Sequence, residues 1–335
     1  MRPYAVSMFM RRPLPTQHSI ERLFSAVREH LPADIVCTPH MCSFESVGIW
    51  RRMVIAVEAA FRQADVNHVT GDVHFITLLL RRKSTILTIH DLATLDRLSG
   101  FTRWLYRLIW LRIPARRVRI ITVISSATRD HVRRELGGIA ADIRVIPDCV
   151  FDGFDPYPKP FNAERPTVLI VGLARNKNFP RIVEALHGIP CNLRVIGHLT
   201  PELAETLAKH EISYTSDSRL SDHAIIEEYR NCDLLVFAST SEGFGLPILE
   251  AQAVGRPVIT SNVSSMPEVA GDGAELVDPL DTSSIRAGIL RVISNERRRK
   301  ELIERGFANV RRFGVTAVAE QYAELYREVA QARRR

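Results

Sequence analysis

Residues 233–255 read DLLVFASTSEGFGLPILEAQAVG, and this one stretch contains a strand, a tight turn and a helix. Asp233–Ala238 is an apolar run of the kind that forms a strand buried on both faces. Gly243 and Gly245 carry no side chain, so the backbone there can approach a ligand closely. Pro247 suits the first turn of a helix, where its missing N–H costs nothing. The helix then runs through Ile248, Leu249, Ala251 and Ala253 as far as Gly255. Glu242–Gly245 therefore sits at the carboxyl end of a strand, and the exposed amides of the helix N-terminus face polar or anionic groups bound there. Glu242 lies at the mouth of the turn. Glu250, about one turn into the helix, can still reach the same cleft.

The same alternation extends along the whole chain. Strands are expected at Tyr4–Met10, Asp34–Thr38, Val66–Val69, Thr85–His90, Arg119–Ser125 and Ile143–Pro147 in the first half. The second half offers Thr167–Gly172, Asn192–Gly197, Ile212–Thr215, Asp233–Ala238, Pro257–Thr260 and Ala274–Val277. Helical patterns such as Ser19–His30 and Ser46–Arg62 lie between them. Strand–helix alternation with Val/Ile/Leu-rich strands predicts an α/β fold of parallel sheets covered by helices on both faces. The 335 residues suit two domains. The boundary falls at Phe151–Pro166, where Gly153, Pro156, Pro158, Pro160 and Pro166 break both helix and strand and suggest a semi-rigid linker. The expected domains are thus residues 1–155 and 156–315. Tyr322, Leu325, Tyr326 and Val329 share one face of a C-terminal helix (316–335), which fits docking back on the first domain.

Charge is uneven along the chain. Residues 1–160 carry 23 Lys/Arg against 15 Asp/Glu, a net +8, whereas the remainder carries 22 against 23. A basic first half suggests an anionic partner. Phe101–Arg119 (FTRWLYRLIWLRIPARRVR) interleaves Trp and Leu with six arginines. It reads either as an interfacial helix on an anionic membrane or as a core-packed helix with arginines in water. Five scattered cysteines imply no disulfide framework. Cys37, His40 and Cys42 lack the second ligand pair of a zinc site. No run is long and apolar enough for a membrane span, and Arg11 and Arg12 interrupt any signal-peptide core, so a cytoplasmic setting is expected. No G-x-G-x-x-G follows the first strand or Val168–Val171, which argues against a nicotinamide oxidoreductase.

Glu242 and Glu250, framing G-F-G-L-P, resemble the E-x(7)-E motif of retaining glycosyltransferases of family four, which have the GT-B fold of two facing Rossmann-like domains. The likeness continues through Gly255-Arg256-Pro257-Val258-Ile259, Pro267-Glu268-Val269 and Gly271-Asp272-Gly273-Ala274. Upstream, Val171-Gly172, Lys177 and Asn178 resemble the family's phosphate-binding strand and loop. The resemblance implies that Glu242 and the Gly243–Phe244–Gly245–Leu246 backbone hold the donor sugar, and that Glu250 binds the nucleotide ribose. It implies also that Lys177, beside Gly172, neutralises the departing diphosphate, a role that a fixed cation suits in any case. Some relatives carry an Arg after the loop glycine. Here Leu173 stands there, and Arg175 is the nearest substitute.

In the first half Thr88-Ile89-His90-Asp91-Leu92 resembles the family's H-D-L segment, which places His90 as a catalytic candidate and Asp91 near it. Ser125 either caps the following helix or faces the cleft. The glycine-rich loop that many relatives have after the first strand is replaced by Arg11-Arg12-Pro13-Leu14-Pro15-Thr16-Gln17-His18. The acceptor-side candidates are accordingly Arg11, Arg12, Gln17, His18, Asp91 and Ser125. Asp148-Cys149 replaces the usual Asn-Gly after the last strand of this half.

The implied reaction is retaining transfer of a sugar from a nucleoside-diphosphate sugar to an acceptor hydroxyl. It needs no metal and no cofactor beyond that co-substrate. The expected partners are the nucleotide sugar, a saccharide or lipid-linked acceptor of polysaccharide, O-antigen or other glycoconjugate assembly, and an anionic membrane at the inner face of the cell. No nucleic acid is expected. The competing readings are a sugar-nucleotide epimerase or phosphorylase on a similar scaffold, and a silent partner subunit.

Overall fold

The computed structural model describes residues 2–12 and 19–334. Contacts divide the chain into two compact units. The first runs to Cys149 and resumes at Val315; the second is Val150–Gly314.

The first unit holds β1 (Tyr4–Met10), β2 (Ile35–Met41), β3 (Val66–Val69), β4 (Thr85–Ile89), β5 (Ile120–Val123) and β6 (Asp142–Val145) in the order β2-β1-β3-β4-β5-β6. Every neighbouring pair is parallel. The second unit holds β7 (Thr167–Val171), β8 (Asn192–Ile196), β9 (Tyr214–Asp217), β10 (Leu234–Phe237), β11 (Val258–Ser261) and β12 (Ala274–Val277) in the order β12-β11-β10-β7-β8-β9, again all parallel. The direction of winding reverses between β1 and β3 in one sheet and between β7 and β10 in the other. In open α/β sheets ligands bind at such switch points, beyond the carboxyl ends of the strands.

Central strands such as TILTI of β4 and LLVF of β10 are buried throughout. Edge strands follow looser rules. β9 is exposed along its length and lies two residues later than expected from sequence, because Ile212 packs toward the core from the turn before the strand. β2 continues through Pro39, which an edge strand tolerates.

The Val315–Arg334 helix belongs to the first unit and buries Tyr322, Leu325, Tyr326 and Val329 there. Its Tyr326 hydroxyl meets His68 Nδ1 at 2.7 Å. His68 Nε2 meets Thr88 Oγ1, also at 2.7 Å, and Thr88 Oγ1 meets Thr122 Oγ1 at 2.6 Å. These three residues of β3, β4 and β5 form a polar stripe inside the core. Burial holds the imidazole of His68 neutral, with its pKa pushed down to about 3.

Two expectations are corrected. The proline-bearing stretch after Val150, expected as a semi-rigid linker, is part of the second unit and lies along it. Phe151 and Phe154 are buried, and Lys159 Nζ reaches Asp233 Oδ1 at 2.6 Å. Phe101–Arg119 is helical only within Gly100–Arg116, with a π-helical turn at Arg107–Arg112. Pro114 has no N–H to give the carbonyl of Trp110, and His74 Nδ1 donates to that oxygen instead at 2.8 Å. Several of its arginines are tethers. Arg103 donates to Leu95 O and Glu135, Arg112 to Leu136 O, and Arg117 to Leu78 O. No helix among the described residues is long and apolar enough to cross a membrane.

Candidate active site

The switch point of the second sheet brings together the loops after β7 and β10. β7 ends into Gly172, whose φ of +84° only glycine adopts without strain. A Cβ there would stand 3.0 Å from Lys177 Cε, so the absent side chain leaves room for the lysine stem. Lys177 Nζ lies 2.8 Å from Glu242 Oε1 and 4.4 Å above the ring of Phe237, the last residue of β10. Both partners of the ion pair are largely covered, with side chains 19% and 13% exposed. Arg175 is exposed on the same loop.

Neighbours that the motif did not point to hold these residues in place. Asn176 Nδ2 donates to Ser241 O at 2.8 Å and to Glu242 Oε1 at 3.2 Å. Asn178 takes a left-handed conformation, φ 60°, and its buried amide donates to Ala238 O and Pro279 O. Thr240 N donates to Asn176 O, which ties the two loops at the backbone. From beyond β11, Ser264 Oγ and Ser265 Oγ donate to Glu242 O, and Ser265 Oγ also to Phe244 O. The turn is thus fixed on both sides. Gly245, at φ +119°, caps the Leu246–Ala253 helix, and Pro247 sits in its first turn. A Cβ on Gly245 would press on Ile248 at 3.2 Å.

Glu250 accepts a 2.6 Å hydrogen bond from the hydroxyl of Tyr229. Tyr229 is fully buried, and burial first, then the charge of Glu250, hold its hydroxyl protonated well above the ordinary range. Tyr229 lies on the Asp222–Asn231 helix, outside every motif, and carries no signal in the sequence.

The other candidates lie in the first unit. His90 Nε2 lies 3.0 Å from Thr70 O. A carbonyl only accepts, so Nε2 carries a proton and donates it to Thr70 O. Asp91 Oδ1 accepts from Ala93 N. Arg11 is buried between Glu21 at 2.8 Å and Asp72 at 3.3 Å, spanning the switch point of the first sheet. Arg12 is exposed and donates to Ser43 O. Ser125 caps the Ser126–Leu136 helix by accepting from Thr128 N. Gln17 and His18 lie outside the described residues. Asp148 is buried near His90. Loss of hydration raises its carboxyl to about 6, and its Oδ1 has no hydrogen-bond partner.

Residues 154–308 match the family described as glycosyl transferases group 1. The chain is 39% identical over 99 residues to an O-antigen chain mannosyltransferase B of Escherichia coli, covering 30% of this chain and 26% of that one. It is 29% identical over 228 residues to a D-inositol 3-phosphate glycosyltransferase of Thermobispora bispora, covering 64% and 51%. The matched stretches thus span from about a quarter to about half of these relatives' lengths. Among solved structures, sucrose-phosphate synthase of Thermosynechococcus elongatus superposes with a TM-score of 0.79 at 17% identity, covering 98% of this chain and 100% of that one. Anabaena Alr3699/HepE in complex with UDP and glucose gives 0.76 at 16%, covering 97% and 100%. The fold is therefore that of the GT-B glycosyltransferases.

Proposed function

We propose, from the match of residues 154–308 to the family described as glycosyl transferases group 1, that the protein moves a sugar from a nucleoside-diphosphate sugar to an acceptor hydroxyl with retention of anomeric configuration. The observation that carries the reading is the Gly172–Lys177–Glu242 arrangement at the switch point between β7 and β10. A glycine-lined approach, a covered ammonium and a fixed carboxylate suit a ligand that is anionic at one end and rich in hydroxyls at the other.

In the proposed reaction Glu242 and the amides of Gly243–Leu246 hold the donor sugar. As the anomeric C–O bond breaks, its electron pair leaves on the diphosphate, and Lys177, Arg175 and the helix amides stabilise that charge. The acceptor oxygen bonds to the anomeric carbon on the same face, and its proton passes to the leaving phosphate oxygen. Glu250, held by Tyr229, receives the ribose. The relatives' roles in O-antigen and inositol phosphate glycosylation support a saccharide or lipid-linked acceptor in glycoconjugate assembly.

The test is a thermal-shift panel of UDP, GDP, ADP and CMP, followed by nucleotide release from the matching sugar conjugates with and without EDTA. A ligand that binds only the folded state raises Tm. One diphosphate raising Tm, with release undiminished by EDTA, is expected. A flat panel overturns the reading, and release abolished by EDTA overturns its metal independence.

Membrane attachment from the cytoplasmic side is part of the same proposal. Trp50, Phe61 and Phe101 are more than 70% exposed, on the basic half of the chain. Co-flotation with anionic but not neutral liposomes at low salt is expected; indifference to both removes this part.

A further inference from the structure

The Ile49–Phe61 helix buries Ile55, Ala56 and Ala59 on its inward face. Its outward face is apolar as well. Ile49, Trp50, Met53, Val54, Val57 and Phe61 are between 40% and 87% exposed. At 3.6 residues per turn these six fall within one arc of about 140°, which no charged residue interrupts. A helix that is apolar all round is ordinarily a buried one. With Val47 just before the helix, the six expose on the order of 800 Å². That exceeds the largest apolar patch of an ordinary monomer and equals one partner's share of a standard interface.

The surroundings of this face narrow what covers it. The helix shares a small pocket with the end of β2, the edge strand of the sheet. Pro39 in β2 lacks an N–H, which blunts that edge against strand addition and leaves the helix face as the sticky surface. Arg52 is turned inward. It lies 4.7 Å over the ring of Trp110, and its Nε donates to Ser46 O at 2.9 Å. The charges at the margin of the arc are Arg51 and Glu58, with Arg62 further round, and all lie on the same side.

A second copy fits this face by symmetry. Two such helices can run antiparallel about a two-fold axis perpendicular to both. Trp50 then meets the partner's Phe61 at each end, and Val54 meets the partner's Val57 at the centre, since both pairs are evenly disposed about that axis. The same rotation keeps the charged margin on its own side. It brings Arg51 within a two-residue rise, about 3 Å along the axis, of the partner's Glu58. We propose that the chain forms a two-fold dimer in solution through the outward faces of its Ile49–Phe61 helices, closed along one margin by Arg51 against the partner's Glu58. Trp50 and Phe61 are covered in that dimer, so pairing and the membrane attachment proposed above exclude each other. The pairing itself does not rest on the transferase reading.

Sedimentation velocity of the full chain at micromolar concentration, without lipid, tests the pairing. Val57→Glu puts a carboxylate in the seam at an exposed helical position, and circular dichroism checks that the variant stays folded. The expected result is a wild-type dimer, with its dissociation constant raised roughly tenfold or more by Val57→Glu and by Arg51→Glu. Combining Arg51→Glu with Glu58→Arg is expected to recover the dimer, which non-specific adhesion would not do. A monomer at every concentration, a dimer indifferent to Val57→Glu, or no recovery on charge reversal overturns the proposal. A monomer captured by anionic vesicles and released from them by Val57→Glu gives this face to the membrane and likewise overturns it.

Discussion

The ammonium of Lys177 stands 2.8 Å from Oε1 of Glu242, so the cation assigned to the departing diphosphate already has a carboxylate partner. The two carboxylate and phosphate claims on one ammonium oppose each other. Glu242→Gln removes the competing charge while keeping the shape. It is expected to tighten binding of the free nucleoside diphosphate several-fold, since a partly exposed pair contributes about 1 kcal/mol. It is also expected to lower turnover by roughly 100-fold or more through the lost grip on the sugar. Calorimetry and initial rates measure the two halves separately. Weaker nucleotide binding with unchanged turnover would contradict both.

Gly172 and Gly188 provide a matched pair. Both have positive φ, +84° and +70°, yet a Cβ on Gly172 meets Lys177 at 3.0 Å and one on Gly188 meets nothing within 4 Å. Alanine at either position costs about 1–2 kcal/mol of left-handed backbone strain. Comparable losses of Tm are therefore expected for Gly172→Ala and Gly188→Ala, with turnover falling in the first alone. Equal activity in the two folded variants would detach Gly172 from the lysine.

Tyr229 donates a 2.6 Å hydrogen bond to Glu250 from the helix behind it. Tyr229→Phe keeps the ring packed against Phe154 and removes only the hydroxyl. A hydrogen bond to a charged group contributes about 1.5–3 kcal/mol. The expected result is a Tm lower by a few degrees and nucleotide affinity reduced several-fold, with turnover at saturation little changed. A fall in turnover at saturation without loss of affinity would assign Tyr229 to the chemistry.

Asp148 sets a pH dependence. Its carboxyl titrates near 6 in the fold, pushed up by burial, against about 4 in an unfolded chain. Because the folded pKa is raised, the protonated form is the favoured one. Its contribution is complete below about pH 4 and is lost as pH rises through 6. Asp148→Asn is accordingly expected to exceed the wild type in stability by about 2 kcal/mol at pH 7.5. The gap should close as pH falls from 6 to 4. Denaturant titrations across that range measure it, and a gap independent of pH would mean that Asp148 is not the titrating group.

The fold was legible wherever burial dictated composition. The buried strands lie within two residues of their apolar runs, because a strand covered on both faces has little choice but Val, Ile and Leu. The least accurate were the edge strands β2, which runs three residues past its expected end, and β9, which is exposed along its length, where no such pressure acts. Motif glycines and Glu242 could be read because close approach and positive φ leave few alternatives. Asn176, Asn178, Ser264 and Ser265 could not. Each is an ordinary loop residue until β7, β10 and β11 bring three separate turns together. The polar stripe of His68, Thr88 and Thr122 was hidden for the same reason, because its partner Tyr326 is more than 200 residues away in the chain.

That distance has a consequence during synthesis. The second unit is one unbroken run of sequence, so a ribosome supplies all of it before the helix beginning at Val315 emerges. The first unit, although begun earlier, waits for that helix with His68, Thr88 and Thr122 lacking their cover. The half of the molecule that starts first is therefore the half that finishes last.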